Sequence, residues 1–288
     1  MIKLPPHADI LPPSDDRIFK TLLTHPEAKP ALINLLSAVT ERPVLDARIR
    51  NTELPVSDAE EKSERLDVNC IIDENDQIDV EMHGSRIEEI ASGHKNFINK
   101  YIYYLTDLHS SQKSKGVKYY ELVRTYQVTF SEYTIFPDRA DFVNRFSMRR
   151  ETGEQLNDQI TMVIIELSKL GGILKKPVKD LTLLEMWSVF FKYAADERNR
   201  HYINEIIERK EEIAMAGALL MEISKDEKER AHMRSRRMFE TDQISNILTA
   251  EARGEAKGII IGKAEGKAEG KIEIASMMKK SGMPIGSI

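Results

Sequence analysis

Acidic and polar side chains alternate with apolar ones in the stretch RLDVNCIIDENDQIDVEMHG, residues 65–84. Two runs of period two flank the tetrapeptide DEND, and this pattern predicts a β-hairpin with one polar and one apolar face. The polar set comprises Asp67, Asn69, Asp79, Glu81 and His83. Carboxylates gathered on one face could hold a divalent cation, so this hairpin is the candidate functional site.

The pairing of the two strands is limited by the requirement that both apolar sets face one core. Asp67 opposite Glu81, with a three-residue turn, satisfies this requirement, and so does Asp67 opposite His83. In either register Asp67 and Glu81 share the polar face, with Cβ atoms about 5 Å apart if opposite or about 7–8 Å if diagonal. The sequence therefore predicts two neighbouring carboxylates and leaves the register open.

Two close carboxylates repel each other unless a proton, a basic partner or a divalent cation relieves the repulsion. The competing interpretation is a solvated strand face whose acids point into water, because exposed faces of antiparallel strands are normally polar. Other metal chemistry lacks support, since His94 and His109 have no metal-spaced cysteine partners. Cys70 falls on the predicted apolar face, which indicates a buried thiol.

The elements around the hairpin indicate an α/β or α+β core with a helical tail. Ser14 or Asp15 is the predicted N-cap of the first helix. The predicted order is a helix from residue 15, a helix from Pro30, the hairpin, a helix over 86–109, a strand over 119–136, a helix over 156–167, a helix over 181–196, and charged helices from 201 onward. We divide the chain into an extended arm (1–14), a central domain (15–200) and a helical extension (201–288).

The extension contains a glycine at every fourth position from Gly254 to Gly270. Each glycine costs a helix about 1 kcal/mol relative to alanine, so a helix here needs compensation. Small residues on one helical face allow two helices to pack closely, which predicts a homo-oligomer formed through this tail. The alternative is a flexible polar spacer. The basic run at 228–237 is a DNA contact or a solvated helix face.

Composition places the chain among soluble globular proteins, with 41% hydrophobic and 31% charged residues in 288. No apolar run approaches the ~20 residues of a membrane span, and no signal peptide is evident. The single cysteine fits a cytoplasmic location. Residues 1–83 carry a net charge of −8 and the remainder +3, a balance that disfavours a broadly basic nucleic-acid binder. A local basic groove and a bound divalent cation would offset this balance.

The stretch RLDV followed by DVEMH resembles the core of the PD-(D/E)XK nuclease superfamily. The chain is more specifically similar to the Rpn family of recombination-promoting nucleases, which are also described as transposases. Four further pieces agree in order and spacing: DRIFK at 16–20, YYELVRTYQVTF at 119–130, MWSVFF at 186–191 and AEGKAEGKIEIASMMKKSGM at 264–283. The resemblance spans roughly residues 15–285.

This resemblance implies a restriction-endonuclease-like mixed sheet flanked by helices, and a metal-dependent DNA endonuclease activity linked to recombination or mobile elements. It makes 15–200 the nuclease-like domain. It implies that Asp67, Glu81 and the Met82 backbone carbonyl bind Mg²⁺ or Mn²⁺, which prefer oxygen ligands. Asp16 would add a ligand through water, although an acid at a helix N-terminus is also ordinary.

His83 stands where the family usually has Gln or Lys. A neutral imidazole could orient or deprotonate the attacking water, could ligate the metal, or could mark a lost activity. The alternative to an active nuclease is therefore an inactive relative that binds DNA or protein. A third interpretation, a helical assembly protein, rests on the tail alone.

Candidate contacts to DNA are three lysines and one glutamine: Lys20, Lys95, Lys100 and Gln127. Lysine side chains on helices next to the site could reach phosphate groups. The alternative is that the lysines are solvated and that Gln127 is an ordinary surface residue.

Overall fold

The structure of the protein is a computed structural model that describes residues 2–50, 67–73, 75–84, 86–112 and 116–282, with the backbone alone at 86–95. The helices of this described part are α1 (Asp16–Thr24), α2 (Lys29–Thr40), α3 (Arg86–Ser110), α4 (Leu183–Tyr193), α5 (Arg200–Arg209), α6 (Glu211–Lys225) and α7 (Glu227–Lys280). Its strands are β1 (Ala47–Ile49), β2 (Val68–Ile72), β3 (Asp76–His83), β4 (Thr125–Ser131), β5 (Val143–Ser147) and β6 (Ile160–Glu166).

The six strands form one mixed sheet in the order β1-β2-β3-β4-β6-β5. The central pairs β3–β4 and β4–β6 are parallel, and the pairs towards both edges are antiparallel. Helix α3 forms the crossover between the parallel strands β3 and β4, as such strands require. The predicted α/β fold class, a mixed sheet flanked by helices with a helical C-terminal extension, is confirmed.

The predicted hairpin is formed by β2 and β3. Its last pair is Ile72 with Asp76, which leaves a three-residue turn. Asp73 and Asn75 in this turn have φ values of 47° and 93°, and Asp and Asn tolerate this left-handed region better than most residues. Cys70 is buried on the apolar face as predicted, and burial raises the pKa of its thiol to about 12.

The sheet is covered on both faces. The apolar sides of β2, β3 and β4 pack into a large core with α1, α2, α4, α5 and α6, in which Phe19, Phe130 and Trp187 are fully buried. A smaller cluster lies between α3 and the opposite side of β6, and includes Tyr101 and Ile164. The polar side of the hairpin therefore faces α3 and not open solvent.

The helix predicted over 156–167 is wrong, because this segment contains β6. Val163 and Ile165 face the large core, whereas Met162 and Ile164 face the cluster beneath α3. A strand that is buried on both faces has a continuous apolar run, which helical spacing fits equally well. The β-branched run is the sequence signal for a strand here, and β5, which pairs with β6, is absent from the sequence prediction. The predicted strand over 119–136 is also shorter, since β4 covers Thr125–Ser131.

The N-terminal arm and helices α5 and α6 belong to the main unit, which ends at Arg234, while a second compact unit begins at Ser235. The arm is held by two hydrogen bonds to Asn204 of α5. The Leu4 N–H donates one to Asn204 Oδ1 at 2.8 Å, and Asn204 Nδ2 donates the other to the Leu4 carbonyl oxygen at 3.0 Å. Leu4 is fully buried. The boundary thus lies later than the predicted residue 200, because α5 and α6 pack into the large core.

Helix α7 is continuous through the glycine repeat, Gly254 to Gly270. A helix advances about 100° per residue, so each step of four overshoots a full turn by about 40°. The five glycines from Gly254 to Gly270 therefore follow a stripe that turns by about 160° around the helix over its length. Pairing of two copies through this helix stays a prediction. None of the described helices is long and apolar enough to cross a membrane.

Candidate active site

Asp67 and Glu81 lie side by side at the edge of the polar face of β3. The register pairs Val68 with Val80, so Asp67 stands opposite Glu81, which is the first of the two registers that the sequence allows. Glu81 Oε1 accepts a hydrogen bond from the Asp67 N–H at 2.8 Å, and Asp67 Oδ2 accepts one from the Met82 N–H at 3.1 Å. Each carboxylate is thus tied to the backbone of the opposite chain segment.

A third carboxylate, Asp79, lies on the same face of β3. The register aligns it with Asn69 on β2 and with Gln127 on β4. Gln127 Nε2 donates a hydrogen bond to Asp79 Oδ2 at 2.8 Å, and both side chains are fully buried. The alternation of the sequence predicts Asp79 on this face but assigns it no role, because its partner comes from a strand 48 residues away.

The polar face is closed off from solvent. The exposed fractions of Asp79, Glu81 and His83 are 0, 5 and 5%. Aromatic residues of α3, among them Phe97 and Tyr101, pack over the sheet here. The competing interpretation of a solvated strand face therefore does not hold for these three residues, and Asp67 is half-buried.

Burial raises the pKa of all three carboxyl groups, because a surrounding of low dielectric constant penalises the charged form. The pKa of Asp67 is raised to about 6 and that of Asp79 to about 8, and the pKa of Glu81 is raised well above its usual value. Repulsion adds to burial, since the charge of Asp67 raises the pKa of both other acids. Ionisation of all three carboxyl groups together therefore requires additional positive charge nearby.

Helices α1 and α3 bring lysines to the cluster. The charge of Lys20 lowers the pKa of Asp67 and Asp79, and the charge of Lys100 lowers the pKa of Asp67 and Glu81. Both lysines, predicted as DNA contacts, thus lie within electrostatic reach of the carboxylates. Their charges do not outweigh burial, because all three pKa values remain raised.

The start of α1 approaches the end of β3. The Ser14 carbonyl oxygen would lie 2.8 Å from a Cβ atom at Gly84, so the absence of a side chain there permits the close approach. Asp16, the first residue of α1, acts on the cluster, since its charge raises the pKa of Asp67. The structure thus brings Asp16 to the acids with which the resemblance associates it.

His83 lies in an aromatic pocket. Its ring centroid is 4.8 Å from that of Phe97, 6.3 Å from that of Tyr101 and 6.0 Å from that of Tyr133, and all three contacts are edge-on. Such contacts restrict the rotation of the imidazole. His83 is therefore at the site, with its ring position set by packing.

The other two predicted DNA contacts differ in placement. Lys95 lies in α3, and its side chain is outside the described residues. Gln127 lies beneath the carboxylates with no exposed surface, so the prediction that it contacts DNA is not met in this arrangement.

The donor atoms of the site suit Mg²⁺ or Mn²⁺, which prefer carboxylate and carbonyl oxygens. Asp79 Oδ1 and Asn69 Oδ1 are buried without a hydrogen-bond partner, so the face has acceptors that a cation or a proton would satisfy. In the part of the chain that the structure describes, no three His, Cys, Asp or Glu side chains are arranged to bind one metal ion. The residues fit a hard cation chemically, and Asp67 and Glu81 would turn from their backbone hydrogen bonds to bind it.

A sequence model of the PD-(D/E)XK nuclease family transposases matches residues 13–250. The matched range contains Asp67, Glu81 and His83, and it begins just before α1. Searches of the curated proteins and of the solved structures found no match.

The raised pKa values predict that the metal-free protein loses stability as pH rises from about 5 to 8. Between these values the folded protein holds protons on carboxyls that the unfolded chain has released, so unfolding releases protons and its free energy falls with pH. Asp79→Asn should flatten this fall and increase stability at pH 8 by on the order of 1–3 kcal/mol. Urea unfolding in EDTA at both pH values measures the effect.

The matched control is Asp138→Asn, which removes an exposed carboxylate. It should leave both the slope and the stability at pH 8 close to wild type. An Asp79→Asn protein that loses stability with pH as steeply as wild type would show that this group does not hold the proton.

Proposed function

This chain belongs to the PD-(D/E)XK nuclease family of transposases, and we propose that it is a metal-dependent DNA endonuclease acting in recombination or in the movement of mobile elements. The observation that supports this activity is the cluster of Asp67, Asp79 and Glu81, whose pKa values are raised by burial. Acids that are costly to ionise together are stabilised by a cation, and perturbed acids are frequent at active sites.

Asp67, Glu81 and the Met82 carbonyl would hold Mg²⁺ or Mn²⁺, with Asp16 as a further ligand through water. When bound, such an ion lowers the pKa of a water molecule and stabilises the negative charge that develops on the phosphate. Asp79 is more deeply buried and is fixed by Gln127. We assign to Asp79 and Gln127 the role of positioning Glu81.

Lys20 and Lys100 would attract the phosphate to the acids. A cluster of carboxylates repels DNA, and ammonium groups beside it offset that repulsion locally even though the chain is acidic overall. Lys20 reaches the cluster from α1 and Lys100 from α3, so the two charges act from different elements. Lys95, on α3, is assigned a contact to the DNA backbone outside the site.

The packing of His83 bears on the choice between an active and an inactive site. A ring fixed by Phe97 and Tyr133 is suited to orient water or accept its proton, because a neutral imidazole has one acceptor nitrogen. The same pocket also fits a histidine that only packs. A histidine that only packs against aromatic rings would favour the second candidate function, a nuclease fold that has lost cleavage and binds DNA or protein.

Purified protein should nick supercoiled plasmid with Mg²⁺ or Mn²⁺ and not with EDTA. Asp67→Ala and Glu81→Ala should each abolish nicking, because each removes a proposed metal ligand. Their unfolding free energy in EDTA should stay level or rise, since repulsion among the acids is relieved. Agarose gels and urea unfolding provide the two measurements.

The control for this experiment is Asp138→Ala, at an exposed position, which should nick at the wild-type rate. A folded Asp67→Ala/Glu81→Ala protein that still nicks would place the active site elsewhere. A folded wild type that binds DNA and never nicks would support the second candidate function.

Substitutions of His83 should separate its possible roles. If the imidazole accepts a proton or orients water, His83→Ala loses most of the rate, whereas His83→Gln and His83→Lys retain activity. The wild-type rate should fall on the acid side, because a protonated imidazole has no acceptor nitrogen. His83→Gln should lack this acid limb between pH 5.5 and 8.5. Equal rates and equal pH profiles for wild type and His83→Ala would remove His83 from the chemistry.

A further inference from the structure

Two neighbouring tyrosines stand out on the segment between α3 and β4. Tyr119 and Tyr120 are 79% and 77% exposed and lie in a single 3₁₀ turn, Tyr119–Glu121. A tyrosine ring stabilises a fold mainly by the apolar area that it buries, so rings this exposed contribute little to folding. The two tyrosine rings are therefore accessible to a ligand that binds beside the start of β4.

The backbone that carries the pair is held in place. Gln112, just after α3, accepts a hydrogen bond from the Val123 N–H at 2.8 Å and donates one to the Val123 carbonyl at 3.1 Å. Within the turn, Glu121 Oε2 accepts a hydrogen bond from the Lys118 N–H at 2.8 Å. A surface that is ordered before a ligand arrives loses less entropy on binding.

Positive charge accompanies the rings. The segment SQKSKGVKYYELVR, residues 111–124, has four basic residues and one acidic residue. Arg124 among them is paired with Asp158 and Asp76. Lys118 is therefore the basic side chain of the described part that accompanies the rings. The Lys118 Nζ lies over the Tyr120 ring, 5.4 Å from its centroid. Exposed aromatic rings beside basic side chains are the combination with which proteins bind single-stranded nucleic acid, because rings stack on bases and cations contact phosphates.

The tyrosines precede the strand that runs beside the carboxylate-bearing strand β3. Strand β4 begins at Thr125, next to this segment, and reaches Thr129, which is paired with Glu81. At about 3.3 Å per residue, the part of β4 from Thr125 to Thr129 is roughly 13 Å long. Successive nucleotides of one strand rise about 3.4 Å, so roughly four nucleotides cover this length.

We propose that Tyr119 and Tyr120 form a stacking platform for unpaired nucleotides of the DNA substrate, with Lys118 in contact with a phosphate. A duplex hides the faces of its bases, so the ligand is single-stranded DNA or a strand end next to a duplex. This inference rests on the proposed function and adds to it a preference for substrates that have an unpaired strand.

The test measures DNA binding by fluorescence anisotropy in EDTA, where cleavage is suppressed. One labelled ligand is a single strand and the other is the blunt duplex of the same sequence. Tyr119→Ala/Tyr120→Ala should weaken single-strand binding at least tenfold, since stacking contributes about 1–3 kcal/mol per base. The matched control, Tyr119→Phe/Tyr120→Phe, keeps both rings and should bind within about twofold of wild type. Blunt-duplex binding should change little in either variant.

The salt dependence tests the lysine. Lys118→Gln should make the dependence of log K on log salt for the single strand shallower by about 0.7, the value for one lost phosphate contact. An unchanged slope would contradict the contact at Lys118.

Equal single-strand affinity for the Ala and wild-type proteins would overturn the platform, and so would an equal loss of duplex affinity. A wild type that binds no single-stranded DNA would also overturn it and would leave a protein partner for this surface. Plasmid nicking separates the two proposals. Nicking without tyrosine-dependent binding removes only the platform, whereas tyrosine-dependent binding without nicking removes only the endonuclease.

Discussion

The burial of three carboxyl groups on one face of the sheet is the constraint on which the rest of the site depends. Asp79 and Glu81 are buried and Asp67 is half-buried, and burial is the first cause of each raised pKa. Lys20 and Lys100 relieve only part of the cost of ionising them. The three carboxyl groups are stable together only when they bind protons or a cation. A bound cation is what the proposed metal-dependent nuclease activity requires.

The topology explains how the cluster is assembled. The parallel pair β3–β4 requires a crossover, and α3 serves as this crossover while it covers the polar face with aromatic rings. The antiparallel partner β2 adds Asp67 from the other side of β3. Helix α1 approaches the same strand end because Gly84 leaves room for the Ser14 carbonyl. Five elements thus meet at the acids. Strands β2 and β3 position the carboxylates, β4 supports Asp79 through Gln127, α1 and α3 bring lysine charges, and α3 also covers the face.

The hairpin and its acids could be predicted because a period of two reports directly which side of a strand faces the core. That period places Asp67 and Glu81 on one face, and the structure selects their direct pairing from the two registers that the period allows. The burial of the polar face and the bond from Gln127 to Asp79 could not be predicted, since they depend on elements far along the chain. Strand β6 was mistaken for a helix because both of its faces are buried and its apolar residues do not alternate. The docking of the arm at Leu4 likewise depends on Asn204, 200 residues away.

The central claim is that the buried acids form a site for a divalent cation. Calorimetric titration of the metal-free protein with Mn²⁺ tests it most directly, with Glu81→Gln as the variant and Glu121→Gln, at an exposed position, as the control. The account predicts saturable binding to wild type and to the control, and loss of this binding in Glu81→Gln. Absence of binding to folded wild type, or equal binding to Glu81→Gln, would contradict the account.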